Sequence, residues 1–266
     1  FPDGALLSAT GGAEGGDGGF IEVSGSEVVI QGSVDASAPA GEAGTFLIDP
    51  TDINVVASLT NPQIGDDGDG SFTTNAATND ILDTTIENYL DGGTSVVLDT
   101  SAHGGAGPFG GTGDINVNEA IDFAGGNGTV DLTLYAANDV DVNAAIDASG
   151  AVDALNVDLN ANEVVANPGD DPSPGAGEVD IGASVITNGG SFTASGARFD
   201  NTGGSITAGA GAVQITARSF NTTVGSAIDS GGGISLSANS DVVVDAPVTA
   251  TDGDLNILAD NNAGSV

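Results

Sequence analysis

The 266-residue chain contains no cysteine, no methionine and no tryptophan, and its lysines and arginines together number two. Each shortage removes a class of protein. Without cysteine there is no disulfide framework and no cysteine-ligated zinc. With Arg198 and Arg218 as the whole cationic inventory, no surface can neutralise a row of phosphates, which excludes nucleic acid as a partner. No stretch of about 18 apolar residues occurs, so no segment reads as a transmembrane helix. No basic n-region followed by an apolar h-region marks a signal peptide. Aromatic residues make up 4%, few for the core of two sheets packed face to face. Phe1 and Val266 carry no capping signal, and the chain reads as a piece of something longer.

What remains is glycine, acid and small aliphatics. There are 43 glycines and 38 Asp plus Glu, giving a formal net charge of −36, yet charged residues are only 15% against 39% hydrophobic. Such a charge would favour disorder if the apolar residues were scattered. They alternate instead. In "DLTLYA", Leu132 and Leu134 oppose Asp131, Thr133 and Tyr135; in "LNVDLNA", Leu155, Val157 and Leu159 oppose Asn156, Asp158 and Asn160. A period of two is the mark of half-buried strands.

The strands also recur. "DINVNEAID" at Asp114–Asp122 aligns with "DVDVNAAID" at Asp139–Asp147, and a weaker copy, "DVVVDAPVT", starts at Asp241. Comparable apolar positions fall at Leu132, Leu155, Ile181, Ile215, Leu236 and Leu255, mostly about 20–25 residues apart, a repeat length that fits the turns of a strand-only solenoid. A β-sandwich would also show many short strands, but the regular period and the small side chains favour an all-β parallel β-helix. One segment departs from the pattern. Within 61–93, a loop leads into "TNDILDTTIENYLDGG" (Thr78–Gly93), where Leu82, Ile86, Tyr89 and Leu90, with Ile81 beside them, share a helical face. Thr78 or Asn79 can cap the helix start, and Gly92 or Gly93 can end it. This reads as a loop-plus-helix insertion on the flank of a single domain, 1–266.

The runs "GGFIEVSG", "GSVDASAPAGEAGTFLIDPTDINVV" and "TTIENYLDGGTSVVLDT", above all Gly44–Ile53, resemble filamentous-haemagglutinin-type exoproteins, the large bacterial adhesins exported by two-partner secretion. The resemblance covers most of residues 18–160. It implies a right-handed parallel β-helix at the cell surface or outside the cell, acting in adhesion, aggregation or matrix building. It carries no shared catalytic residues, and the chain looks like a shaft segment rather than the export-recognition domain.

Candidate sites are sparse. Asp66, Asp67 and Asp69 in "GDDGDGSF" have the spaced carboxylates of a calcium loop but lack the glutamate at the twelfth position; an acidic surface turn is the plain alternative. Asp170 and Asp171 carry the same two readings. Asp114, Asp131, Asp139 and Asp141 are placed on strand faces, where a solenoid would stack equivalents about 4.8 Å apart; aligned, they would make a calcium ladder. Arg198 and Arg218, in "GARFDN" and "TARSFN", are candidates for stacking near Phe199 and Phe220 as a glycan-binding strip, or for ordinary ion pairs with neighbours such as Asp200. His103 stands alone in a glycine-rich loop, with no partner for metal or catalysis. "GGAGPFGG" lacks the lysine of a phosphate loop.

The expectation is therefore a non-enzymatic rod that displays binding loops to a host or neighbouring-cell surface, glycans or matrix. The alternative is an extracellular filament or matrix subunit that self-associates end to end through open strand edges, with calcium as a potential bridge.

Overall fold

Val130–Ala136, Val140–Val142 and Ile146–Asp147 form three strands on three walls, and the chain then rises so that Leu155–Ala161 lies against Val130–Ala136. This computed structural model describes residues 4–25, 28, 30, 32–59, 65–66, 72–73, 79–101, 112–161, 177–218 and 221–259. Successive turns build a parallel β-helix with walls of nine, eight and six strands, called here faces A, B and C. Face A runs from Phe20–Ser24 to Leu255–Leu258, face B from Asn79–Leu82 to Val242–Val244, and face C from Ile121–Asp122 to Val248–Ala250.

The repeat read from the sequence is the register of the walls. Ile115 pairs with Val140, Val117 with Val142 and Ile121 with Ile146. Val242 continues the first column through Val179, Phe199 and Thr222. One alignment needs correction. Leu132 stacks on Val157 and Leu155 on Val130, so those two leucines occupy neighbouring columns. Ile181 belongs to face B, while Ile215, Leu236 and Ile257 share a column of face A, leaving Leu255 above Ile234. Ile181 and Ile215 lie further apart than one repeat because they are on different walls.

Alternation puts every second side chain inside. The column Phe46, Val96, Leu132, Val157, Phe192, Val213 and Ile234 is buried throughout, as is its neighbour Ile48, Leu98, Leu134, Leu159, Ala194, Ile215 and Leu236. Each buried Val, Leu, Ile or Phe in them contributes about 1.5–3 kcal/mol. Glycine allows the corners to stack. A Cβ on Gly211 would lie 1.9 Å from the Gly190 carbonyl oxygen, and one on Gly204 1.9 Å from that of Ala183. Buried polar side chains tie these corners together: Asn201 donates to the Gly204 and Ser226 carbonyls and accepts from Gly225 N–H.

The insertion is built into the walls. Asn79–Leu82, expected within the helix, is a strand pairing with Ile53–Val56, and Ile81 is buried beside Val55. Helix α1 covers Asp83–Asp91, starting at Leu82 without a side-chain cap. It ends where glycine was expected to stop it. Gly93 N–H bonds to Leu90 O and Thr94 N–H to Tyr89 O, with Gly93 at φ 83°, the paired bonds of a Schellman ending. Ile86, Tyr89 and Leu90 face the core, and Tyr89 meets Phe46 edge-on at 5.3 Å. On its other side α1 covers the bottom of face C. Glu87 Oε1 accepts Asp122 N–H and Asp91 Oδ1 accepts Ala124 N–H, both at 2.9 Å. Two carboxylates one helical turn apart thus satisfy donors on and just after an edge strand, Ile121–Asp122.

Removing a column member should be felt locally and strongly. Leu134→Ala is expected to destabilise the chain by about 2–5 kcal/mol, and Gly211→Ala to lower the melting temperature because its methyl group has no room; thermal melts by circular dichroism check both.

Candidate acidic ladder

Face B carries acidic side chains in two columns. One column holds Asp52, Asp114 and Asp139, each just before its strand, and Glu178 and Arg198, each first in its strand, all one position ahead of the stacked Ile53, Ile115, Val140, Val179 and Phe199. The outward position within each strand contributes Asp80, Asn54, Asn116, Asp141, Asp180 and Asp200. Adjacent positions in a column are about 4.8 Å apart.

The first column is a chain of carboxylate-to-amide bonds. Asp52 Oδ1 accepts the N–H groups of Gly113 and Asp114, the latter at 3.2 Å. Asp114 Oδ1 accepts Asp139 N–H at 3.2 Å and Asn138 Nδ2 at 2.6 Å. Asp139 Oδ1 accepts Gly177 N–H at 2.9 Å and Glu178 N–H at 2.8 Å. Each acid holds the corner of the turn above it. The column closes on an ion pair, Arg198 Nη1 to Glu178 Oε2 at 3.6 Å. Burial pushes the carboxyls of Asp52 and Asp139 above their ordinary range, although these same amide bonds oppose the rise.

In the second column Asp141, Asp180 and Asp200 are consecutive and half-buried. Asp200 turns one oxygen to Thr202 N–H at 2.7 Å. Desolvation, followed by repulsion from Asp139, Asp180, Asp114 and Glu178, raises the Asp141 carboxyl to about 6. Asp180 is raised too, by burial and then by Asp200. Glu178 is raised by burial, with Arg198 opposing. This strip can hold protons or attract cations, but among the described residues no group of three or more carboxylates or histidines is arranged to hold a metal ion.

The expected sites fare unevenly. Asp66 lies in the short strand Gly65–Asp66, paired with Phe72–Thr73, while Asp67 and Asp69 lie outside the described residues. So do Asp170, Asp171, His103 and Phe220. Asp131 is on face A, where Asn156 Nδ2 donates to it at 2.8 Å. The two arginines do not stack. Arg198 pairs with Glu178 on face B, whereas Arg218 follows the face A strand Val213–Ala217 and donates to Ser195 Oγ at 2.9 Å. Their 20-residue spacing crosses a corner. Asp180 is not among the sequence candidates, and Asp200 is there only as an ion-pair neighbour of the arginines. The signal for Asp180 is the match of "EVDI" to "DVDV" around Val179, hidden by the intervening residues 162–176.

The sign of the pH response follows from Asp141. Its folded value is about 6 against an ordinary 3.8, so between these values the folded chain keeps a proton that the unfolded chain releases. Stability from this group is complete below 3.8 and is lost as pH rises through 6. Allowing for solvent screening, the loss is about 1–2 kcal/mol. Asp141→Asn should therefore raise the melting temperature by about 2–6 °C at pH 7 and leave it unchanged near pH 3.5; melts across that range test this.

Compared with protein-family models and with curated proteins, the chain matches none.

Proposed function

We propose that this chain is a structural and adhesive segment of a large secreted bacterial surface exoprotein, a stiff rod that holds binding surfaces away from the cell. The carrying observation is the nine-strand continuity of face A from Phe20 to Leu258. At about 4.8 Å per strand this is a wall about 40 Å long. Stacked interior columns resist bending because every layer is packed against the next. The resemblance of Gly44–Ile53 to secreted adhesins supports the extracellular placement. In this reading the rod does no chemistry.

Beads coated with the purified chain should adhere to bacterial or host cells, and soluble chain should compete. Beads that adhere no better than albumin-coated beads would overturn the adhesive role.

The second reading is a filament or matrix subunit that self-associates end to end through open strand edges. Negative-stain electron microscopy separates the readings: regular end-to-end filaments favour the matrix subunit, and short isolated rods favour the shaft. Filaments that dissolve on chelation would mark the aspartates as bridging sites.

A further inference from the structure

The corners that lead into face A differ in length, and one of them leaves a notch. Residues 36–44 lead into the face A strand Thr45–Asp49, residues 92–94 into Ser95–Asp99, and residues 123–129 into Val130–Ala136. These three strands are neighbours in that order. A three-residue corner thus lies between two long ones. It is short because α1, rather than a strand, precedes it and ends in the tight Gly92–Gly93 turn. The flanking corners stand two strand spacings apart, about 10 Å.

Two cavities of about 460 and 430 Å³ fill the notch and share Gly41, Asn127 and Gly128, so they form one cleft. The short corner adds only Gly92 to the lining; beside it the chain is tight, since a Cβ on Gly93, at φ 83°, would lie 3.1 Å from Asn127 Cβ and 3.6 Å from Ser37 Cβ. The walls carry Glu42, Asn127, Thr129, Asp131, Asp153 and Asn156. Several of these are already anchored by one hydrogen bond. Asp131 Oδ1 accepts from Asn156 at 2.8 Å, Asp153 Oδ2 from Gly128 N–H at 2.9 Å, and Asn127 Nδ2 donates to Asp91 O at 2.8 Å. One oxygen each of Asp131, Asp153 and Asn127 is left without a hydrogen bond from the described residues, on side chains whose orientation is set.

Carboxylate and amide oxygens are acceptors, so the cleft calls for a ligand rich in donors. On a chain of net charge −36 an anionic ligand is repelled. We infer that the notch is a binding cleft for a saccharide without acidic groups, its hydroxyl or amine donors meeting Asp131, Asp153 and Asn127. The assignment goes beyond the rod reading and stands on the corner geometry, wherever the rod is displayed.

The test uses the full chain, labelled with ¹⁵N, and three probes: a neutral glucose oligosaccharide, a chitosan oligosaccharide and an oligogalacturonate. The neutral or the amine-bearing probe should shift the amides of Gly41, Asn127 and Gly128 saturably, and the anionic one should not. Thr129→Trp, at an exposed wall position, should weaken binding by about tenfold or more. Thr249→Trp on face C should leave it unchanged. Melting temperatures show that each variant is folded, and the amide shifts of the unsubstituted chain stand independently of both. Silence from the neutral and amine-bearing probes, equal binding of the anionic one, or shifts that map away from the notch would overturn the assignment. So would binding that a folded Thr129→Trp leaves intact.

Discussion

Everything in this molecule depends on one spacing. Backbone hydrogen bonds between parallel strands hold successive turns about 4.8 Å apart, and whatever one turn places at a position, the next must tolerate directly above it. Inside, aliphatic side chains meet that requirement by packing into continuous columns. At the corners, glycine meets it by having no side chain: Gly190 and Gly211 bring backbone to within the space a methyl group would need. The high glycine content is thus a consequence of the same repeat that makes the core.

The acid is harder to stack, and the structure handles it in two ways. Many aspartates serve as acceptors for backbone donors that the corners leave unpaired. Asp35, Asp99, Asp147 and Asp200 each bond the N–H two residues on. Asp52, Asp114 and Asp139 reach to the turn above. In these places a carboxylate is better than an apolar residue, because it accepts an N–H that the ladder leaves unpaired, and losing it costs most where that N–H is buried, as at Gly113. Asp141 and Asp180 have a different position. They face outward in one column, half-buried and with like charges as neighbours, and burial followed by that repulsion raises both carboxyls. The negative charge is therefore part structural glue and part an electrostatic load.

The helix matters for what it displaces. A strand in its place would extend face C downward and be followed by an ordinary corner. Helix α1 instead satisfies the edge donors of Asp122 and Ala124 with Glu87 and Asp91. It then turns sharply at Gly93, so that the corner above and the corner below project past it. The relief of the rod's surface at this level arises from a local interruption of the repeat. Regular stacking makes a smooth wall, and a departure from it makes a recess.

By itself the sequence determined the parallel β-helix, because strict alternation sets which residues face inward and the "DINVNEAID"–"DVDVNAAID" repeat sets which stack. It also determined the helix end, since the glycines after Leu90 allow the turn that closes it. Only the tertiary structure decided the columns. A shift of two residues preserves the inward face, so Leu132 and Leu155 look equivalent although each stacks on another partner. Chain between strands changes the spacing without changing the register, so Asp141 and Asp180 align across residues 162–176. A spacing close to one turn does not keep two residues on one wall, so Arg198 and Arg218 have separate partners. The notch was illegible for the same reason. It is made by the relative lengths of three corners distant in sequence, which become neighbours only when their strands pair.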